Sequence, residues 1–106
     1  MLFRSFNVTA EGGNTATLTG ATVLGANVTF NTNGATDNNV NFAGTIDADN
    51  AGANDRTLTV TADTGTATFG GNVGTTEELA DFDVTAATIN LNASTFNINE
   101  IGRAHV

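Results

Sequence analysis

Short segments that alternate an apolar residue with Thr, Asn or Asp recur along nearly the whole chain, and they leave few folds open. Examples are Asn27-Val28-Thr29-Phe30, Asn39-Val40-Asn41-Phe42, Arg56-Thr57-Leu58-Thr59-Val60-Thr61-Ala62, Thr66-Ala67-Thr68-Phe69 and Thr88-Ile89-Asn90-Leu91. A period of two puts the apolar side chains on one side of an extended backbone and the polar ones on the other, the mark of a half-buried strand. Turn formers separate the segments at Gly12-Gly13-Asn14, Asn33-Gly34, 50–54, Asp63-Thr64-Gly65 and Gly70-Gly71. Only 75–81 offers anything else, a loop with one helical turn through Glu77-Glu78-Leu79-Ala80. Thr makes up roughly one residue in five, far above ordinary usage, and Pro is absent. Both suit an all-β chain of short strands. With 7 Phe and neither Trp nor Tyr among 106 residues, the expected core is thin and built from small β-branched and aliphatic side chains.

The segments also resemble one another. Asn27-Val28-Thr29-Phe30 and Asn39-Val40-Asn41-Phe42 are near copies, and the pattern polar, apolar, polar, large apolar returns at Thr66 and Thr88. Imperfect self-similarity of this kind predicts a β-solenoid of about four rungs with roughly 20 to 30 residues each. An antiparallel β-sandwich is the alternative, since it too uses short strands and turns. The absence of Cys favours the solenoid, because a small domain without disulfides gains its missing core from neighbouring repeats. No apolar run is long enough to span a membrane, and no signal-peptide pattern is recognisable.

Both ends differ from the rest. Residues 1–5 and 101–106 carry two of the three basic residues, the only His and the only Met. They resemble translated sequencing-adapter DNA: GTG CTC TTC CGA TCT reads as the first five residues with a GTG start, and ATC GGA AGA GCA CAC GTC as the last six. The expected organisation is therefore two adapter-derived tails, 1–5 and 101–106, around a repeat segment, 6–100, from a longer metagenomic reading frame. That segment sets eleven acids against Arg56 alone, a formal charge of −10. Such a surface repels nucleic-acid phosphates and anionic membranes.

The stretch Val40 to Asp47, then Arg56 to Ala62, then Gly65-Thr66-Ala67-Thr68-Phe69-Gly70-Gly71-Asn72-Val73-Gly74, and finally Leu79 to Asn92 resembles one repeat of giant bacterial surface proteins. These are the β-strand-repeat passengers of filamentous haemagglutinin-like and large autotransporter adhesins. The likeness covers the second half of the segment well and the first half by composition only. It implies a right-handed parallel β-helix exported to the surface of a Gram-negative cell, with a role in adhesion or biofilm. Its partners would be neighbouring repeats of the same chain and a host surface, abiotic surface or glycan. With no Lys or His in 6–100, no catalysis is expected, and no cofactor beyond a weak Ca²⁺ site.

Three constellations invite chemistry. Asp81 and Asp83 form an i, i+2 pair on one strand face, the arrangement a polysaccharide-active β-helix would use for acid/base work. Asp47, Asp49 and Asp55 flank a Gly-containing loop and are weak Ca²⁺ candidates, although Ala51 and Ala53 fall where ligands would be wanted and Leu58 replaces a closing Glu. Thr57, Thr59 and Thr61, then Thr64, Thr66 and Thr68, form rows of hydroxyls for surface contact, and on a flat solenoid they would order water as ice-binding proteins do. Without Lys or His in the segment, solvated carboxylates and Thr ladders are the plain reading of all three. The chain is expected to be a non-enzymatic structural repeat that is marginally stable or self-associating alone.

Overall fold

Alternating burial follows the alternating sequence. The computed structural model describes residues 5–7, 14–32, 38–49, 56–100 and 104–105. Its strands are β1 (Ser5–Asn7), β2 (Thr15–Leu18), β3 (Thr22–Leu24), β4 (Val28–Asn31), β5 (Asn39–Phe42), β6 (Ile46–Ala48), β7 (Thr57–Phe69), β8 (Leu79–Leu91), β9 (Ile98–Glu100) and β10 (Ala104–His105). Every pairing among the described residues is parallel. That overturns the antiparallel β-sandwich: parallel neighbours need crossover connections, and a hairpin cannot supply them.

Three sets of strands stack side by side. β2, β5 and the second halves of β7 and β8 form the first, through Ala16↔Val40, Val40↔Ala67 and Ala67↔Ile89. β3 and β6 form the second, extended by single bridges from Ile46 to Val73 and from Val73 to Phe96. β1, β4 and the first halves of β7 and β8 form the third, through Phe6↔Phe30, Phe30↔Val60 and Val60↔Val84. Each strand thus meets one roughly 20 to 30 residues away, a spacing in the range of repeat periods.

β7 and β8 join the first and third sets because neither strand stops at the corner. β7 pairs with β4 over Leu58–Thr61 and with β5 over Ala67–Phe69, and the register shifts between Thr61 and Thr66. The bend holds Asp63 at φ 47°, a left-handed conformation that short polar side chains tolerate. Gly65 follows, and a Cβ there would stand 2.4 Å from the carbonyl oxygen of Asn38. The result is one curled parallel sheet. The turn formers 63–65 therefore bend a continuous strand, and Leu79-Ala80 open β8 in place of the expected helical turn.

The core lies inside the curl. Leu18, Phe42 and Phe69 occupy successive in-register positions, as do Val28 and Leu58, and Phe30, Val60 and Val84. All are buried. The core is less thin than composition suggests, because the Phe rings collect into one spine. Phe30 meets Phe42 edge-on at 5.3 Å, Phe42 stacks on Phe69 at 5.5 Å, and Phe69 meets Phe82 edge-on at 5.0 Å. Phe82 then stacks near Phe96 at 6.2 Å. Register stacks Phe42 on Phe69, and the curl of the sheet brings the other rings to that pair from neighbouring strands, so few aromatics serve a long core.

Glycine allows a second stack. Gly20, Gly44 and Gly71 occupy the same corner in successive passes of the chain. A Cβ on Gly44 would lie 2.4 Å from the Gly20 oxygen, and one on Gly71 would lie 2.2 Å from the Gly44 oxygen. No side chain fits between these backbones.

Candidate functional site

The Thr rows divide at the corner. Thr57, Thr59 and Thr61 lie half-exposed on the first half of β7, where Thr57 adjoins Asp81, Thr59 sits between Thr29 and Asp83, and Thr61 sits between Asn31 and Thr85. Thr64 is exposed within the bend. Thr66 and Thr68 lie half-exposed beyond it, beside Thr88 and Asn90, with Asn41 on the other side of Thr68. The side-chain Nδ2 of Asn90 donates to Thr68 Oγ1 at 3.4 Å. The two halves of β7 thus carry separate hydroxyl groups, the first flanked by Asp, Thr and Asn and the second by Thr and Asn. Such faces offer many weak neutral hydrogen bonds and an acidic margin.

Asp81 and Asp83 share the outward face of β8. Asp81 Oδ1 accepts from the Phe82 N–H at 2.9 Å, a local bond of the strand itself. Asp83 Oδ1 is enclosed and accepts no hydrogen bond from a described residue. Arg56, the one basic residue of 6–100, pairs with Asp49. Its Nε donates to Asp49 Oδ1 at 2.8 Å and its Nη2 donates to Asp49 Oδ2 at 3.2 Å. This two-pronged pair is partly buried and clasps the chain before and after 50–55.

Asp47 departs from the expected solvated carboxylate. It is 9% exposed, and Ile46 and Ala48 on either side of it are buried too. Its Oδ1 accepts from the N–H groups of Thr76 and Glu77 at 2.8 and 3.4 Å, so the 75–77 bend covers β6 from outside. Asp47 thus serves a backbone turn and Asp49 serves Arg56, while Asp55 lies outside the described residues. Among the described residues no three acidic or His side chains converge in a way that could hold a metal.

Asp47 belongs to a device that the sequence reading missed. At the corners, a side-chain oxygen accepts from the backbone of the next pass. Asn27 Oδ1 accepts from Thr57 N–H at 3.1 Å and Asn39 Oδ1 from Thr66 N–H at 2.8 Å. Asn72 Oδ1 accepts from the N–H groups of Ser94 and Thr95 at 3.2 and 3.3 Å. The bends leave backbone donors that the sheet cannot satisfy, and a short carboxamide or carboxylate reaches them. Asn at or just before the start of a strand, as in Asn39-Val40 and Asn27-Val28, was the available signal, but it reads equally well as a turn former.

Among the described residues no helix is long and apolar enough to cross a membrane. Comparison with protein-family models, with curated proteins and with solved structures finds no match to this chain.

Proposed function

We propose that the chain is a non-catalytic segment of about four rungs of a right-handed parallel β-helix, part of the stalk of a secreted or surface-displayed bacterial adhesin. One observation carries this reading: three sets of strands each pair in parallel with their own counterparts from the next pass of the chain. Right-handedness follows from the strong preference of parallel crossover connections. The stacked Gly corner, the Phe spine and the recurring Asn caps all repeat with the strands, as a rod built from one structural unit requires. The resemblance to haemagglutinin-like passengers supplies the adhesin setting.

Function would then be mechanical and multivalent. Rungs set a distance, and the Thr, Asn and Asp faces repeat weak contacts to a glycan or another surface along it. The acidic margin keeps neighbouring rods apart. No metal is required, since Asp47 and Asp49 already have protein partners.

Tandem copies joined in frame and studied by small-angle scattering test the rod. Length should rise by about 4.8 Å per added rung at constant cross-section. A thickening particle of constant length would refute the stalk. The polysaccharide-active alternative is tested on the same protein: sugar release that disappears in Asp81→Ala and Asp83→Ala would replace the stalk with an enzyme.

A further inference from the structure

The outward face of the first strand set carries no charge, although residues 6–100 hold eleven acids. Thr15, Asn39, Thr66 and Thr88 form one column across the strands. Thr17, Asn41, Thr68 and Asn90 form a second. All are half-exposed or exposed, and each side chain offers both a donor and an acceptor. Exposed Ala43 and Gly70 flank the second column, so no large side chain stands over it there. The other two faces differ. The third set turns Asp81 and Asp83 outward beside Thr57 and Thr59, and on the second the 75–77 bend covers Asp47. The two columns point outward whatever rungs precede or follow them.

Asn41 stands in the middle of this face at a cost in strand stability, since Asn is depleted from strands where Thr is enriched. Asn39 has a structural role, its cap on the Thr66 N–H, and Asn90 donates to Thr68. Asn41 has no such role among the described residues. Its carboxamide, held between Thr17 and Thr68, suits a ligand that both gives and takes hydrogen bonds. We infer that this face binds a neutral, extended polysaccharide, a β-linked glucan chain lying across the strands along the two columns. Strands about 4.8 Å apart set a repeat close to the length of one extended hexose unit, so successive sugars meet successive rows. Sugar hydroxyls find a donor and an acceptor in each row, and no carboxylate has to be stripped of water. Acidic glycans are repelled, because Arg56 alone stands against the eleven acids and is already paired with Asp49. Each row contributes little, and the rows add. Such binding rests on the stalk reading and gives it a face and a glycan class.

Depletion isotherms on cellulose, with immobilised alginate as the acidic counterpart, test the contact. The wild-type chain should bind cellulose and leave alginate. Asn41→Asp and Thr68→Asp bring a charge to the middle of the face and should weaken cellulose binding by about tenfold or more. Thr29→Asp, an exposed change on the third set, should leave it unchanged. Asn41→Thr should melt higher and bind more weakly, a pairing that a purely structural Asn would not give. Circular dichroism monitors folding, and Asn41→Thr keeps the test open if an Asp variant fails to fold. No uptake by cellulose, equal binding to alginate, or an equal loss in Thr29→Asp would overturn the inference. So would a wild-type dimer in sedimentation that Asn41→Asp dissolves, since a second copy would then occupy the face. Tandem copies that lengthen as a rod yet ignore cellulose would overturn this contact and leave the stalk, whereas copies that do not lengthen would overturn the stalk itself.

Discussion

β7 and β8 are both thirteen residues long and pair with each other along most of their length, yet only one of them has an alternating burial pattern throughout. β7 buries every second residue on both sides of its bend, because β4 and β5 cover one edge and β8 the other. β8 buries Val84 and Ala86, then loses the pattern, and Leu91 ends more than half exposed. The sequences do not explain this, since Thr88-Ile89-Asn90-Leu91 alternates as cleanly as Thr66-Ala67-Thr68-Phe69. Burial here is a property of the next strand over. The apolar face of one pass is finished only by its neighbour.

The sharpest way to break that comparison is to truncate partners in one register pair. Phe69 and Leu91 are directly paired. Phe69 is fully buried between Phe42 and Phe82, so Phe69→Ala should cost about 3–5 kcal/mol in urea unfolding. Leu91→Ala should change stability by only about 0.5 kcal/mol. Equal losses at both sites would mean that β8 is covered as fully as β7. The glycine corner gives the next largest contrast. Gly71→Ala forces a methyl into the Gly44 backbone and should cost about 1–3 kcal/mol. A Cβ at Gly20 meets nothing within 4 Å, and Gly20→Ala should stabilise by about 0.4–1 kcal/mol through the unfolded chain. Thermal melts that move in opposite directions for the two variants would sharpen the account.

Smaller effects should follow at the polar positions. Asn39→Ala leaves the Thr66 N–H without its acceptor and should cost about 1 kcal/mol, whereas Asn90→Ala at the exposed edge should be close to neutral. Smallest is the Asp49–Arg56 pair. A double-mutant cycle with Asp49→Ala and Arg56→Ala should give a coupling of about 0.5–1 kcal/mol that shrinks in high salt. A coupling that is large and insensitive to salt would show the clasp to be better shielded than its partial exposure indicates.

The strands and their inward faces were legible in the sequence because period two needs no knowledge of the fold. Asn39 to Phe42 reads and behaves as one half-buried strand. Legibility failed where a distant segment decides the environment. Ile46-Asp47-Ala48 looks like a strand with a solvated acid, but the 75–77 bend lies over it and turns Asp47 into an acceptor for backbone donors. Composition undervalued the Phe residues, because a count carries neither the register that stacks Phe42 on Phe69 nor the curl that brings Phe30 to Phe42 and Phe82 to Phe69. The bend at Asp63 looked like a strand end for the same reason: whether a turn former stops a strand or curls it depends on the neighbours it must follow. The acidic loop was visible as a cluster, and its pairing of Asp49 with Arg56 across it was not.

Cysteine cross-linking tests the central claim most directly, and the absence of native Cys keeps it unambiguous. Adjacent strands bring paired Cα atoms about 4.8 Å apart, within disulfide reach. Parallel pairing of β5 with β7 in the observed register predicts that Asn39→Cys bonds with Thr66→Cys and Asn41→Cys with Thr68→Cys. The crossed combinations, Asn39→Cys with Thr68→Cys and Asn41→Cys with Thr66→Cys, should stay reduced under the same mild oxidation. Cross-links in the crossed combinations alone would make the strands antiparallel and contradict the account.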